Sequence, residues 1–287
     1  MIDWPESLVT DLARRRAVLV LGSGVSRHAV GEKDVRPPDW KGFLELALDK
    51  CPDPKDHIKE AIDNGDWLHA CEWLKHNFDE KWTKFLTDTF VSPKFMPGNL
   101  HRKILTLDSR IVFSLNFDNV YERAAENMHQ GSHIIKSYHD QDISEFLRGD
   151  GRYIVKAHGT LNTPNKLIFT RKDYANARIE NVSFYQAFDA CLLTHSFVFI
   201  GAGYNDPDIA LLLENQAFGF PSTQPHYFIS SRLNNEDIKR SLRINRNLKT
   251  LEYDKIDNDH TGLVIEIDKL NELVEYEKSR LADSLNW

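Results

Sequence analysis

The feature that most constrains this chain is a set of short, mostly apolar runs, each followed by glycine or polar residues. The runs are Ala17–Leu21, Ile111–Phe113, Tyr153–Ala157 and Phe197–Ile200. Runs of this length and composition are typical of strands buried on both faces of a sheet. Helical patterns lie between them, and strands that alternate with helices predict a parallel, doubly wound sheet. We therefore expect an α/β fold in which all four runs end at the same edge.

The segment Ile111–Arg123 indicates where this edge would bind a ligand. Its apolar run ends in polar residues, and Asn116 and Asp118 come directly before a segment with helical spacing. Open α/β sheets bind their ligands at the carboxyl ends of the strands. Because they are two residues apart, both side chains can face one crevice. The alternative is structural, since Asp118 or Asn119 can also cap the helix that follows.

A glycine-bearing turn, Gly22-Ser23-Gly24-Val25-Ser26, follows the first run. Glycine lets a phosphate approach the backbone closely, so that N–H groups can bind it. The turn has neither the lysine of a Walker motif nor a complete GxGxxG pattern. A tight strand-to-helix turn that binds no ligand is therefore the alternative.

The rest of the chain supplies helices and further strands. Residues 39–107 are almost wholly helical by their apolar spacing, and we interpret them as an α-helical insertion within a single domain of residues 1–287. The segment Asn205-Asp206-Pro207-Asp208 is predicted to supply the N-cap of the helix after Phe197–Ile200, with proline near its first position and acidic residues at its positive end. Further strands are predicted at His133–Lys136, Leu167–Thr170, Tyr227–Ile229 and Lys249–Tyr253, and a last helix at His260–Leu281.

Composition excludes several classes of function. The chain has 287 residues, with 36 Lys and Arg against 43 Asp and Glu, and a net charge of -7. This acidic balance argues against a dedicated nucleic-acid-binding protein. No apolar run reaches the roughly 20 residues that a membrane span needs, and three separated cysteines suit a reducing compartment. We expect a cytoplasmic protein that binds neither nucleic acid nor membrane directly.

His69, Cys71 and His76 are close enough in sequence to suggest a metal site. On one helix, however, residues two positions apart point to different sides, and no second group of ligands matches them. We expect an ordinary structural helix there and no metal.

The four loops together carry a characteristic order of residues. It runs Gly-Ser-Gly-Val-Ser at 22–26, Leu-Asn-Phe-Asp at 115–118, His-Gly at 158–159 and Ile-Gly-Ala-Gly at 200–203. This order resembles the sirtuins, and more closely the sirtuin-like domains of bacterial antiphage defence systems, which hydrolyse NAD instead of deacylating lysine. The resemblance spans roughly Val18–Leu270 and covers residues 39–107 least well. It implies a Rossmann-like, sirtuin-like fold with NAD as the substrate.

The resemblance also implies roles for individual residues. Asn116 matches the asparagine that orients the nicotinamide ribose and a water, Asp118 the aspartate near the carboxamide, and His158 the catalytic histidine. The residues expected to bind the cofactor are Gly22, Ser23, Gly24 and Val25 around the pyrophosphate and nicotinamide ribose, Phe117 within the central motif, Gly201 and Ala202 near the adenosine half, and Ser231 at the end of the next strand.

Two departures separate this chain from sirtuin deacylases. It lacks both CxxC pairs of the four-cysteine zinc module, so no zinc is expected, and it lacks the Val-rich, Phe-Gly segment that clamps an acyl-lysine strand. The sequence therefore favours an NAD glycohydrolase, which releases nicotinamide and ADP-ribose. A protein deacylase or ADP-ribosyltransferase, and a non-catalytic NAD or ADP-ribose binding scaffold, are the alternatives.

The resemblance has consequences for partners as well. Because uncontrolled NAD cleavage would kill the cell, we expect the activity to depend on a partner or on assembly. The resemblance implies that a chain of this size acts with a separate protein, such as a HerA-like ATPase or helicase or an Argonaute relative. A homo-oligomer with the helical insertion at its contacts is the other expectation.

Overall fold

The computed structural model describes residues 1–204, 206–233 and 235–284. Within these ranges the strands are β1 (Ala17–Leu21), β2 (Ile111–Ser114), β3 (His133–Ser137), β4 (Arg152–Lys156), β5 (Ser196–Ile200), β6 (His226–Ser231) and β7 (Leu248–Tyr253). The helices are α1 (Glu6–Ala13), α2 (Ser23–Ser26), α3 (Trp40–Lys50), α4 (Asp56–Asp63), α5 (Trp67–Phe78), α6 (Trp82–Phe90), α7 (Asn99–Thr106), α8 (Val120–His129), α9 (Arg171–Glu180), α10 (Val182–Thr194), α11 (Pro207–Gly219), α12 (Glu236–Arg246) and α13 (Thr261–Asp283). None of these helices is both long enough and apolar enough to cross a membrane.

All seven strands form one parallel sheet in the order β3-β4-β2-β1-β5-β6-β7. β1 lies at the centre, with Leu21 opposite Ser114 of β2 on one side and opposite Ile200 of β5 on the other. The chain fills one half of the sheet through β4 and then returns to β5, so the strand order reverses between β1 and β5. Open sheets bind their ligands at such a switch point, outside the carboxyl ends of the strands. The predicted doubly wound α/β fold is therefore confirmed.

Alternate residues of the central strand pack into two different cores. Leu19 and Leu21 contribute to a core with α1, α7, α8 and α13. Val18 and Val20 contribute to a second core with α9, α10, α11 and α12. All five residues of β1 are buried, as expected for a strand that is covered by helices on both faces. These two layers hold the strands in place, and they thereby fix where the loops at the carboxyl edge begin.

The helical segment 39–107 has two packing partners. Helices α3 to α6 share a third core around Phe43 and Phe85, which also contains Phe169 from the loop before α9. The rings of Phe43 and Phe169 are stacked with centroids 5.8 Å apart. Helix α7 instead packs Leu100 and Ile104 into the core shared with α8 and α13. The part of this segment that has a core of its own is therefore α3 to α6.

One strand prediction is wrong, and its failure has a physical cause. The run Leu167–Thr170 is buried but forms a loop, in which the Ile168 amide donates a hydrogen bond to the His158 carbonyl at 3.1 Å. Thr170 caps α9, because its Oγ1 accepts a hydrogen bond from the Asp173 amide at 3.1 Å. An apolar run predicts burial, but it cannot show that the backbone finds a neighbouring strand. The helix α12 was not predicted at all.

Candidate functional site

The four loops that carry most of the predicted site residues lie side by side at the carboxyl edge of the sheet. They follow β4, β2, β1 and β5, which are consecutive neighbours. His158, Asn116, Gly22 and Gly201 are therefore brought to one edge from distant parts of the sequence. Ser231 ends β6 at the same edge, one strand beyond β5.

The glycine-bearing loops after β1 and β5 are in direct contact. The Gly22 amide donates a hydrogen bond to the Ile200 carbonyl at 3.1 Å, and the Gly24 amide donates one to the Gly201 carbonyl at 2.9 Å. A Cβ placed on Gly22 would lie 2.4 Å from the Cα of Ala202, and one on Gly24 would lie 2.8 Å from the Cα of Gly201. The packing of these two loops by itself therefore requires glycine at both positions.

Asn116 and Asp118 contact different groups although they are only two residues apart. Nδ2 of Asn116 donates a hydrogen bond to the Gly22 carbonyl at 2.9 Å. Asp118 is buried, and its Oδ2 accepts a hydrogen bond from Oγ of Ser26 at 2.7 Å while its Oδ1 accepts one from the Val120 amide at 3.0 Å. Asp118 thus supplies the side-chain hydrogen bond at the start of α8. Together the two residues bind the loop after β2 to the turn after β1.

Phe117, between them, contacts the aromatic core of the helical segment. Its ring centroid lies 4.4 Å from that of Phe169 and 6.3 Å from that of Trp40. Phe117 also lines a cavity of about 260 Å³, together with Arg123 and Thr160. The loops after β2 and β4 and the helical segment therefore meet at this cavity.

His158 is buried and paired with a carboxylate at this edge. Its Nε2 lies 3.2 Å from Oδ2 of Asp206, in the loop after β5. The hydroxyl of Tyr174 donates a hydrogen bond to the same Oδ2 at 3.0 Å. The rings of His158 and Tyr174 meet edge to face, with centroids 5.5 Å apart. The imidazole is thus held between a carboxylate and an aromatic ring.

Opposing effects act on the pKa of His158. Burial lowers it, because the imidazolium loses hydration, but the Asp206 carboxylate, Asp208 and a hydrogen bond to the Leu115 backbone together raise it above the ordinary 6.5. Burial raises the pKa of Asp206, but His158, the Ile209 amide and the Tyr174 hydroxyl together outweigh this, so the pKa of Asp206 is lowered. Both shifts favour the charged form of the pair, imidazolium with carboxylate.

A second buried carboxylate, Asp208, lies in the first turn of α11 beyond this pair. Its Oδ1 accepts a hydrogen bond from Arg178, and its Oδ2 accepts one from the hydroxyl of Tyr185. Burial raises the pKa of Asp208, which these two donors only partly oppose. Asp208 therefore adds negative potential near His158 without contacting it.

The sequence placed Asp206 only within the segment 205–208 that supplies the N-cap of α11, and its contact with His158 was missed; Asn205 of that segment lies outside the described residues. The capping role is observed, since Oδ1 of Asp206 accepts a hydrogen bond from the Ile209 amide at 3.1 Å. The only available signal was that both residues follow strands at the same sheet edge. Because β2 and β1 lie between β4 and β5, neither strand order nor sequence spacing predicts that their loops would touch.

Within the described ranges, no group of three or more His, Cys, Asp or Glu side chains is arranged to hold a metal ion. His69 instead makes a 2.6 Å contact through Nδ1 with Asp66, three residues earlier on the chain. The three cysteines, Cys51, Cys71 and Cys191, are buried free thiols.

Comparison with known proteins gives both a family match and distant relatives. Residues 110–251 match the model of the SIR2-like domain. The chain is 25% identical over 251 residues to the NAD(+) hydrolase ThsA of Acinetobacter baumannii (strain 532279), and the aligned region covers 86% of this chain and 48% of that protein. It is 22% identical over 205 residues to the NAD(+) hydrolase ThsA of Enterococcus faecium, and that alignment covers 68% of this chain and 42% of the relative. It is 28% identical over 132 residues to Defense-associated sirtuin 2 of Bacillus subtilis, covering 45% and 12%.

The chain spans less than half the length of each of these relatives. The range matched by the family model extends from β2 into β7, so it includes Asn116, His158 and Asp206, whereas the Gly22 turn lies before it. This match and the parallel sheet agree with the resemblance found in the sequence. Residues 110–251 are thus similar to a SIR2-like domain, and the chain is distantly homologous to the ThsA NAD(+) hydrolases and to a defence-associated sirtuin.

Proposed function

We propose that this protein is an NAD glycohydrolase, which cleaves NAD to nicotinamide and ADP-ribose. The observation that carries the proposal is the pair of His158 and Asp206 at the carboxyl edge of the sheet, beside the loop that bears Asn116. The distant homology to proteins named as NAD(+) hydrolases supports the choice of substrate.

The reaction needs few catalytic groups. As the bond between the nicotinamide nitrogen and the anomeric carbon breaks, its electron pair goes to the nitrogen and neutralises the cationic ring. Positive charge develops on the ribose, so positioning and electrostatics contribute more than a strong acid. A water then bonds to the anomeric carbon, and its proton passes to neutral His158 once the loops have moved and a ring nitrogen is free to accept it. Asp206 orients the imidazole and stabilises the imidazolium that forms, as a carboxylate does in a catalytic triad.

We assign the other residues from the same resemblance. Asn116 orients the nicotinamide ribose and the attacking water, and Asp118 lies near the carboxamide. Phe117 contacts the cofactor beside them. The remaining contacts are Gly22, Ser23, Gly24 and Val25 around the pyrophosphate and nicotinamide ribose, and Gly201, Ala202 and Ser231 toward the adenosine half.

Binding in this place requires a movement of the loops. The amides of Gly22 and Gly24 are bonded to the last residue of β5 and to the first residue after it, and the two backbones are in contact. A dinucleotide that lies between these loops must separate them and must expose His158. This requirement supports a second proposal, that activity depends on a partner or on assembly, either as a homo-oligomer or with a HerA-like ATPase in antiphage defence.

We further propose that residues 1–287 form a single domain with residues 39–107 inserted in it. The separate core of α3 to α6 supports the insertion, although α7 packs with the sheet. An insertion with its own core can meet another subunit without disturbing the sheet.

The test of the activity is NAD turnover by the purified protein, alone and after assembly, with nicotinamide and ADP-ribose separated by chromatography. Asn116→Ala should abolish both products, whereas Asn245→Ala, which removes an exposed amide on α12, should leave them unchanged. Release of nicotinamide only when an acetylated peptide is present would instead indicate a deacylase. Bound NAD with no turnover in any state of assembly would indicate a binding scaffold.

A further inference from the structure

Lys156, the last residue of β4, is a buried lysine whose ammonium group contacts three acceptors. Its side chain is 2% exposed. Nζ donates a hydrogen bond to Oε1 of Glu122 at 2.6 Å, another to the carbonyl oxygen of Asp118 at 2.6 Å, and a longer one to Oγ of Ser114 at 3.4 Å. An ammonium has three N–H donors, so each has an acceptor here.

Only one of these three contacts is an ion pair. Glu122, on the first turn of α8, neutralises the buried charge, which would otherwise be costly to keep away from water. The other two acceptors belong to β2 and to the loop that follows it. Because a buried ammonium needs acceptors for all three of its donors, Lys156 is bonded to the loop that carries Asn116 as well as to Glu122.

These two contacts connect the loops of the proposed active site. The carbonyl of Asp118 lies two residues beyond Asn116, and Oγ of Ser114 accepts a 3.4 Å hydrogen bond from the Asn116 amide. Lys156 itself lies two residues before His158, and β4 pairs directly with β2, Lys156 opposite Ser114. The buried side chain of Lys156 therefore connects the end of β4, which leads to His158, with residues on both sides of Asn116.

We propose that Lys156 is a positioning residue, which holds the loop of Asn116 at a fixed distance from His158. Glu122 neutralises its charge so that the ammonium can be buried. The inference rests on the proposed NAD glycohydrolase activity for its catalytic consequence, but the contact between Lys156 and the loop does not depend on that activity. Displacements of about 1 Å in a catalytic group lower rates by as much as about 100-fold.

A double variant separates positioning from a purely structural ion pair. Lys156→Met alone leaves Glu122 buried without its partner and should strongly lower the melting temperature. Lys156→Met/Glu122→Met removes both charges at similar volume and should recover most of that loss. If the pair is only structural, kcat recovers together with stability. If Lys156 positions the loop, kcat stays lowered by about 10- to 100-fold while KM for NAD changes little.

The control is Lys103→Met/Asp268→Met, which removes a partly exposed ion pair between α7 and α13. It should leave kcat unchanged. The second readout is hydrogen exchange of the amides of residues 114–119, compared at equal global stability. Positioning predicts faster exchange in Lys156→Met/Glu122→Met than in the wild type, and unchanged exchange would overturn the inference.

The two proposals fail in different ways. If the wild type cleaves NAD and Lys156→Met/Glu122→Met is equally active, the positioning role of Lys156 is refuted. The proposed NAD glycohydrolase activity would then still stand. No turnover by the wild type in any state of assembly would refute the NAD glycohydrolase. In that case the exchange measurement would still decide whether Lys156 holds the loop.

Discussion

Replacing Asp206 with asparagine would test the role of the buried pair most selectively. The substitution keeps the size of the side chain, and asparagine is as good an N-cap as aspartate, so the hydrogen bond from the Ile209 amide to Oδ1 can persist. What changes is the charge 3.2 Å from Nε2 of His158. Asp206→Asn therefore removes the main attraction that raises the pKa of His158 and leaves the burial that lowers it.

The structure itself indicates the size of the effect. His226 is a buried histidine, and burial lowers its pKa from 6.5 to about 4. Without Asp206, His158 should move in that direction, partly opposed by Asp208 and by the hydrogen bond to the Leu115 backbone. Loss of an opposite charge at this distance typically changes a pKa by about 1 to 3 units, and each unit corresponds to about 1.4 kcal/mol.

The assay is the pH dependence of kcat/KM for NAD, which reports the pKa of the base in the free enzyme. Because only neutral His158 accepts a proton, the rate should rise with pH through its raised pKa. In Asp206→Asn the midpoint of this rise should fall by at least about 1 pH unit, while the maximal rate also falls, since the imidazolium is no longer stabilised. Asp237→Asn, an exposed carboxylate on the first turn of α12, is the matched control. An unchanged midpoint in Asp206→Asn would refute the proposed pairing of base and carboxylate.

Three further predictions concern stability. The pKa of His158 in the folded protein is raised above 6.5, so the charged pair stabilises the fold only while His158 is protonated. The difference in unfolding free energy between the wild type and His158→Gln should therefore be largest near pH 6 and should shrink as the pH rises through the folded pKa. Denaturant titrations at several pH values would measure this difference. Gly201→Ala should lower the unfolding free energy by about 1–3 kcal/mol, because φ is +60° and a Cβ would lie 2.6 Å from the Val25 amide nitrogen. In the control Gly219→Ala the added Cβ meets nothing within 4 Å, so the unfolding free energy should change little. Equal losses in the two variants would contradict the close contact of the loops. Phe169→Ala should lower the unfolding free energy by about 3–5 kcal/mol, because Phe169 is buried in the third core. The control Phe218→Ala, at an exposed position, should lower it by less than about 0.5 kcal/mol. A small loss in Phe169→Ala would mean that the third core is loosely packed.

The sequence contained enough to predict the sheet and the edge at which the candidate residues meet. β1 could be recognised because its five residues are all apolar and are all buried by helices on both faces. Parallel strands then required that the loops bearing Gly22, Asn116, His158 and Gly201 share one edge, and the structure brings them there. The order of the strands along the chain and their common direction are enough to place these loops together.

Contacts between loops could not be predicted in the same way. The pairing of His158 with Asp206 depends on the path that the loop after β5 takes across two intervening strands, and no periodicity encodes that path. The run Leu167–Thr170 failed for a related reason, because its burial comes from two cores that meet over it and not from pairing in the sheet. Asp118 shows a third limit of prediction from sequence. The sequence could not decide whether Asp118 caps a helix or contacts a ligand, and its hydrogen bonds with Ser26 and Val120 became visible only in the fold.

The most direct test of the central claim is the stoichiometry of products formed from NAD by the wild type and by His158→Ala, with NAD binding measured in parallel. We expect equal amounts of nicotinamide and ADP-ribose from the wild type and no turnover by His158→Ala, which should still bind NAD. The variant His76→Ala, which replaces an exposed histidine on α5, should behave as the wild type. Turnover by His158→Ala at the wild-type rate would contradict the account, because the buried imidazole would then have no part in the reaction.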